Sequence, residues 1–139
     1  MNTPPKDEMP PSGTTSDTAQ VLVVDDDSLQ RGEIVDFLTR QGIEVEAEGN
    51  GFAAVHRIKS LRPKVVVMDM KMPGLDGLHV SRLVSGLEHP PKVILMSGYP
   101  EYVYRAHAED AEVFAVLEKP VPLAALVRFV NDALSQSAA

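Results

Sequence analysis

Side chains that could bind a metal ion or transfer a phosphoryl group follow the apolar runs of this chain. They are Asp25 and Asp26 after residues 21–24, Asp69 after residues 65–68, Ser97 after residues 93–96, and Lys119 shortly after residues 115–117. If these runs are parallel strands, their carboxyl ends lie at one edge of a sheet, where open α/β sheets bind ligands. The pattern predicts Mg²⁺ binding and phosphorylation of an aspartate at that edge.

The charges of this predicted site favour a hard divalent cation. Asp25, Asp26 and Asp69 sum to −3 and Lys119 adds +1, which leaves −2 for one Mg²⁺ to neutralise. Oxygen-only ligands favour Mg²⁺ over zinc, and Mn²⁺ could substitute for it. On this interpretation Asp69 is the nucleophile, and the Lys119 ammonium and the Ser97 hydroxyl stabilise the phosphoryl oxygens.

Composition indicates a single globular domain in the cytoplasm. The chain has 139 residues, of which 44% are hydrophobic and 24% charged. It has no apolar run of membrane-spanning length, no recognisable secretory signal and no cysteine. The net charge of −7 disfavours direct binding to nucleic acid.

The chain divides into a folded unit and two tails. Residues 1–19 are rich in Pro, Ser and Thr and poor in large apolar side chains, so we expect a disordered N-terminal tail. We expect the folded unit at residues 20–135 and a short C-terminal tail at residues 136–139.

Within the folded unit, short β-branched runs alternate with helix-period stretches, which predicts βα repeats and a parallel sheet. Five strands are expected, at residues 21–24, 44–48, 65–69, 93–97 and 115–117. The second of these alternates polar and apolar residues, as an edge strand does.

The apolar positions of the intervening stretches recur at helical spacing. In the third helix these positions are Leu78 and Leu83. The last helix has the clearest stripe, formed by Leu123, Leu126, Val127, Val130 and Leu134. A fourth helix is expected near residues 100–108, where apolar periodicity is weak.

Four motifs of this chain resemble the receiver domains of bacterial two-component response regulators, the CheY-like superfamily. The motifs are VLVVDDD at 21–27, VVVMDMKMPGLDG at 65–77, VILMSGY at 93–99 and LEKP at 117–120. They stand in the family's order, and the likeness spans residues 20–134. The resemblance implies a flavodoxin-like, doubly wound α/β fold, with a five-stranded parallel sheet in the order 2-1-3-4-5 and five helices.

The resemblance also implies a role for each site residue. Asp69 corresponds to the phosphoacceptor and Asp26 to a direct Mg²⁺ ligand, with Asp25 acting directly or through water. The backbone carbonyl of Lys71 would be a further ligand. Lys119 would pair with the phosphoryl group, and Ser97 would couple phosphorylation to loop movement.

Other positions resemble modulating sites of the family or depart from them. Lys71 and Tyr99, two residues beyond Asp69 and Ser97, would control access of the hydrolytic water. Pro120 suggests a cis bond with Lys119. Val116 stands where many relatives have the aromatic residue of a rotameric switch, and Val121 replaces a common Phe. Phe114, two residues before Val116, is expected to point to the same face.

The resemblance implies a signalling switch that is not an enzyme acting on other substrates. A histidine kinase or a histidine phosphotransfer protein would donate the phosphoryl group. An output partner or a fused effector domain would read the switched surface, and phosphorylation-dependent homodimers are a further implied assembly. Two alternatives stay open: a receiver-like docking module that works without phosphorylation, and a metal-dependent phosphatase with an aspartyl-phosphate intermediate.

Overall fold

Five parallel strands form one sheet in the computed structural model, which describes residues 19–102 and 113–136. The strands are β1 (Val21–Val24), β2 (Val45–Glu48), β3 (Val65–Asp69), β4 (Lys92–Ser97) and β5 (Ala115–Glu118). Their order across the sheet is β2-β1-β3-β4-β5, and each neighbouring pair is parallel. The predicted flavodoxin-like order is confirmed, and β2 is an edge strand as expected.

Helices of the described residues connect and cover these strands. They are α1 (Ser28–Arg40), α2 (Gly51–Leu61), α3 (Gly77–Ser85) and α4 (Leu123–Gln136). The helix predicted near residues 100–108 falls mainly on residues outside the described part of the chain, as do residues 1–18 and 137–139 of the predicted tails. Within the described ranges, no helix has the length and apolar character that a membrane crossing requires.

Both faces of the sheet are covered, so the central strands are apolar throughout. All residues of β1 are fully buried, and residues 65–68 of β3 are equally inaccessible. Because side chains alternate along a strand, Leu22 and Val24 belong to one core cluster, and Val21 and Val23 belong to the other. The first cluster includes side chains of α2 and α3, whereas the second includes side chains of α1 and α4.

Carboxylate and amide caps fix where the helices begin, close to the carboxyl ends of the strands. Asp27 Oδ1 accepts the backbone N–H groups of Leu29 at 3.0 Å and Gln30 at 3.2 Å. Asn50 caps α2 and Asp76 caps α3 in the same manner. These caps satisfy N–H groups that the helices leave unpaired.

Gly77 brings the start of α3 against the end of β3. Its N–H donates to the carbonyl of Met70 at 2.8 Å. A Cβ at this position would lie 2.8 Å from the carbonyl oxygen of Asp69 and 2.9 Å from the Cα of Met70. Only glycine therefore fits without displacing the backbone beside Asp69.

Two expectations about packing are wrong. Leu83 is 56% exposed, whereas Leu78, Val80 and Val84 are buried. Five residues advance a helix by about 500°, so Leu83 lies about 140° around the axis from Leu78.

The second incorrect expectation concerns Phe114. It packs against the cluster on the α1 and α4 side, whereas Val116 packs against the opposite cluster. Phe114 precedes the first residue of β5, and the alternation of a strand does not extend to it.

Candidate functional site

Three carboxylates meet at the carboxyl ends of β1 and β3. One oxygen from each of Asp25, Asp26 and Asp69 lies within 4.8 Å of the others. Asp25 is buried, Asp26 is exposed, and Asp69 is intermediate. The two strands are hydrogen-bonded neighbours, so their ends bring residues more than forty positions apart in the sequence into one cluster.

Asp25 has no solvent exposure, and only one of its two carboxylate oxygens has a partner in the described part of the chain. Oδ1 accepts the backbone N–H of Asp27 at 2.9 Å, whereas the buried Oδ2 accepts no hydrogen bond. Burial raises the pKa of Asp25, the Asp27 N–H opposes this, and the charge of Asp69 raises the pKa further. A cation bound beside this carboxylate would therefore stabilise its charged form.

Asp69 ends β3 and faces an ammonium group. Its Oδ1 lies 3.3 Å from Lys119 Nζ, and its side chain is 13% exposed. Burial raises the pKa of Asp69, although the charge and hydrogen bond of Lys119 act in the opposite direction. A partly accessible carboxylate beside a fixed cation is suited to nucleophilic attack on an anionic phosphoryl group.

Lys119 follows β5 and approaches the cluster from the other side of β4. Its backbone N–H donates to the carbonyl of Ser97 at 2.7 Å, which ties the end of β5 to the end of β4. Its Nζ donates to Gln30 Oε1 at 2.8 Å in addition to the contact with Asp69. The Lys119–Pro120 peptide bond is cis, as the sequence suggests.

Ser97 is buried at the end of β4, where its hydroxyl group is occupied locally. The Oγ accepts the backbone N–H of Tyr99 at 3.0 Å and donates to the carbonyl of Tyr99 at 3.2 Å. The hydroxyl is therefore near the carboxyl ends of the strands but engaged with its own turn.

Side chains of Lys71 and Tyr99 lie together at the rim. The Lys71 ammonium lies 4.6 Å from the centre of the Tyr99 ring, a cation–π contact. The Tyr99 ring is packed edge-on against Tyr102, with 5.5 Å between ring centres. Tyr102 in turn packs against the same core cluster as Val116.

Asp26, Asp69 and Lys119 line an open cleft of about 730 Å³. Its lining residues are Asp26, Asp27, Gln30, Asp69, Lys71, Met72, Pro73, Gly98, Tyr99 and Lys119. The cleft is wide enough for small anionic groups to reach Asp69 from solvent.

Two contacts made by α1 were not predicted from the sequence. Gln30 hydrogen-bonds Lys119, and the guanidinium group of Arg31 donates to the backbone carbonyl of Asp25 at 2.6 Å. Both residues follow the capping residue Asp27 by three or four positions, in the first turn of the helix. That position is the signal that could have placed them near the strand ends.

A hard divalent cation fits this donor set. The three carboxylates supply only oxygen atoms, and Asp25 Oδ2 is a buried acceptor without a hydrogen-bond donor among the described residues. Ligands of this kind suit Mg²⁺ or Mn²⁺. The raised pKa values of Asp25 and Asp69 are the electrostatic cost that such a cation would remove.

Comparison with known proteins agrees with the observed fold. The family model described as the response regulator receiver domain matches residues 21–131. The chemotaxis protein CheY of Thermotoga maritima is 30% identical over 113 residues, which are 81% of this chain and 94% of that protein. The structure of the receiver domain of a response regulator from Bermanella marisrubri matches this chain with a TM-score of 0.75 at 31% identity. The match covers 84% of this chain and 98% of that chain.

Several relatives are much longer than this chain. A protein-glutamate methylesterase/protein-glutamine glutaminase of Archaeoglobus fulgidus is 37% identical over 109 residues, which are 78% of this chain but 31% of that protein. The regulatory protein AtoC of Escherichia coli is 32% identical over 115 residues, 25% of its length. This chain therefore spans only about a quarter to a third of these two relatives. The parallel sheet order, the acidic cluster beside a lysine and the match over most of the described residues together show that the chain belongs to the response regulator receiver domain family.

Proposed function

We propose that Asp69 accepts a phosphoryl group in a Mg²⁺-dependent reaction and that this modification switches an output surface. The observation that carries the proposal is the convergence of the Asp25, Asp26 and Asp69 carboxylates near the Lys119 ammonium. All of them except the buried Asp25 line one accessible cleft. A carboxylate nucleophile, a cationic group and a cluster of hard ligands are the components of phosphoryl transfer to an aspartate.

The metal would be held by the carboxylates of Asp25, Asp26 and Asp69, with the backbone carbonyl of Lys71 as a further ligand. When bound, Mg²⁺ or Mn²⁺ supplies positive charge that offsets the carboxylates and the phosphoryl oxygens. Lys119 supplies the protein's own share of this charge from 3.3 Å.

The transfer step can be written from the residues of this chain. An Asp69 oxygen attacks the phosphorus of a phosphohistidine on the donor protein, so that a P–O bond forms while the P–N bond breaks. The electron pair of the broken bond stays on the imidazole nitrogen, which takes up a proton. Lys119 holds the transferred oxygens, and a histidine kinase or a histidine phosphotransfer protein is the donor.

Ser97, Val116 and Pro120 are the proposed elements of the switch. The Ser97 hydroxyl would leave its contacts with Tyr99 and donate to the new phosphoryl group. Pro120 fixes the backbone that follows Lys119. Val116 offers a smaller side chain than the aromatic residue that the family resemblance leads one to expect, which leaves more room on its face of the sheet.

Labelling with a small acyl phosphate tests the phosphoacceptor assignment. Wild-type protein should be labelled in the presence of Mg²⁺, and labelling should disappear with chelator and in Asp69→Asn. The matched control is Asp36→Asn, which removes a carboxylate that is 61% exposed on α1. Labelling that persists in Asp69→Asn would exclude Asp69 as the acceptor.

We propose that Lys71 and Tyr99 set the lifetime of the phosphorylated state. Their cation–π pair lies at the rim of the cleft that contains Asp69, and this position supports a role in limiting the access of water to Asp69. Replacing both with alanine should accelerate dephosphorylation by about two- to fivefold, the rate equivalent of a contact of about 0.5–1 kcal/mol. An unchanged lifetime would remove this part of the proposal.

A docking module that works without phosphorylation is a second candidate. It is favoured by Val116 and by Phe114, which packs on the opposite face and cannot replace the missing aromatic residue. In that case Asp69→Asn would bind an output partner as well as wild-type protein does, whether or not a phosphodonor is present.

The wider cellular role follows from the same proposal. We propose a cytoplasmic signalling switch that catalyses only its own phosphorylation and dephosphorylation. Its partners are the phosphodonor and an output partner or fused effector domain, and phosphorylation-dependent homodimers are part of the proposal. The receiver unit is proposed to extend over residues 20–135.

A further inference from the structure

Gln30 makes a hydrogen bond that neither the acidic cluster nor the family motifs explain. It lies in the first turn of α1, and its Oε1 accepts a hydrogen bond from Lys119 Nζ at 2.8 Å, across 89 positions of sequence. It also lines the cleft that contains Asp69. The contact therefore joins the first helix to the cationic group of the site.

The chemistry of the two side chains fixes which way the Gln30 amide points. A lysine ammonium has three donors and no acceptor, so the amide oxygen must face it. The amide nitrogen of Gln30 has no hydrogen-bond partner among the described residues. Gln30 thus presents its acceptor to Lys119, while both of its amide N–H donors are without a partner in the described part of the chain.

Gln30 is not needed to begin α1. Asp27 already caps this helix by accepting two backbone N–H groups. The Gln30 side chain is partly buried, and its one hydrogen bond within the described ranges is the bond to Lys119. The hydrogen bond therefore acts on the position of the Lys119 side chain.

Lysine has a long and flexible side chain that must be ordered before it can stabilise a phosphoryl group. Of its three N–H donors, one is used by Gln30 at 2.8 Å and one points to Asp69 at 3.3 Å, which leaves the third for an incoming oxygen. We infer that Gln30 is a positioning residue that holds the Lys119 ammonium ready for phosphoryl transfer, an inference that rests on the proposed function.

Replacing Gln30 with methionine tests this role, because methionine keeps the length of the side chain and removes the acceptor. At saturating Mg²⁺, Gln30→Met should be labelled by an acyl phosphate about tenfold more slowly than wild-type protein, the effect of losing one hydrogen bond to a charged group. The matched control is Gln41→Met, at the exposed opposite end of α1, which should be labelled at the wild-type rate.

Two further measurements separate positioning from a general structural effect. In a Lys119→Ala background, Gln30→Met should cause no additional loss of rate, because its partner is already gone. In metal-free protein, NMR relaxation of the Lys119 Cε should report greater side-chain motion in Gln30→Met. The affinity for Mg²⁺ should stay within about twofold, since Gln30 is outside the acidic cluster.

The outcomes distinguish this inference from the proposed function. Equal labelling rates for Gln30→Met and wild type, or an equal loss in the Lys119→Ala background, would overturn the role of Gln30 and leave Asp69 as the acceptor. Wild-type protein that is never labelled would overturn the proposed function instead, and the NMR measurement would still decide whether Gln30 orders Lys119. If Gln30→Met does not fold, Gln30→Ala replaces it, because alanine favours the helix.

Discussion

Replacing Asp25 with asparagine should stabilise the metal-free protein at neutral pH, although this residue is central to the site. The Asp25 carboxylate is fully buried, its Oδ2 has no partner among the described residues, and it faces Asp69. Carboxylate oxygens of the two residues lie within 4.8 Å of each other. Two unit charges at that limiting distance repel by roughly 3.5 kcal/mol at an effective dielectric constant of about 20. Lys119 and the water of the open cleft offset part of this repulsion.

We expect a net gain of about 1–2 kcal/mol in the free energy of unfolding for Asp25→Asn. For a domain of this size, that gain corresponds to a rise of about 4–8 °C in Tm. The control is Asp36→Asn on the exposed face of α1, which should change stability by less than about 0.5 kcal/mol.

The pH dependence of this difference has a defined sign. Burial raises the pKa of Asp25 in the folded state, so the folded protein binds its proton more tightly than the unfolded chain does. The wild-type protein therefore loses stability as the pH rises from the ordinary carboxyl range through the raised pKa. The advantage of Asp25→Asn should grow as the pH rises through the raised pKa and should vanish when the pH falls below the ordinary carboxyl range.

Magnesium should reverse the order of the two proteins. A ligand that binds only the folded state at one hundred times its Kd adds about 2.7 kcal/mol of stability. Wild-type protein should gain this amount, whereas Asp25→Asn, which lacks one ligand of the proposed set, should gain little. Thermal unfolding of both proteins, with chelator and with Mg²⁺ and at neutral and acidic pH, measures these differences in stability. If Asp25→Asn is less stable than wild type with chelator, or gains as much from Mg²⁺, the electrostatic reasoning is refuted.

Other predictions concern backbone fit and charge. Gly77→Ala should lower the free energy of unfolding by about 1–3 kcal/mol in denaturant titrations, because the added Cβ would displace the backbone of Asp69. Gly32→Ala, which meets no atom within 4 Å inside α1, should instead raise it by about 0.5–1 kcal/mol, and a gain for both variants would contradict the packing. Lys119→Met should raise the pKa of Asp69 measured by carboxyl ¹³C NMR, whereas Lys64→Met at an exposed position should leave it unchanged.

The sheet could be predicted because its strands obey simple burial rules. β1 and β3 are covered on both faces and are apolar at nearly every position, whereas β2 lies at the edge and alternates. The prediction of side-chain direction failed where too few residues were available to define a helical or strand repeat. Leu78 and Leu83 alone do not define a helical face, and Phe114 stands just outside the strand whose alternation was applied to it.

The candidate site could be predicted because its residues stand at strand ends. A strand end fixes a position in the fold from sequence alone, so Asp25, Asp69 and Ser97 could be placed together. Gln30 lies in the first turn of α1, which places it near the strand ends, and its hydrogen bond reaches Lys119 across 89 positions of sequence. The choice of Lys119 as its partner depends on how α1 packs on the core beneath it, and no local sequence pattern encodes that packing.

The hydrogen bonds of Ser97 indicate how a modification at Asp69 would reach the surface without an aromatic residue at position 116. The Ser97 hydroxyl both accepts from and donates to the backbone of Tyr99, so it reaches a phosphoryl group only if that turn changes. The Tyr99 ring is in contact with Lys71 and Tyr102, and Tyr102 packs on the core cluster beside which Val116 lies. These contacts run from the Ser97 turn to that core cluster. If phosphorylation shifts the turn as proposed, we expect the two tyrosines to move with it and to take the part that the family resemblance would assign to an aromatic residue at position 116.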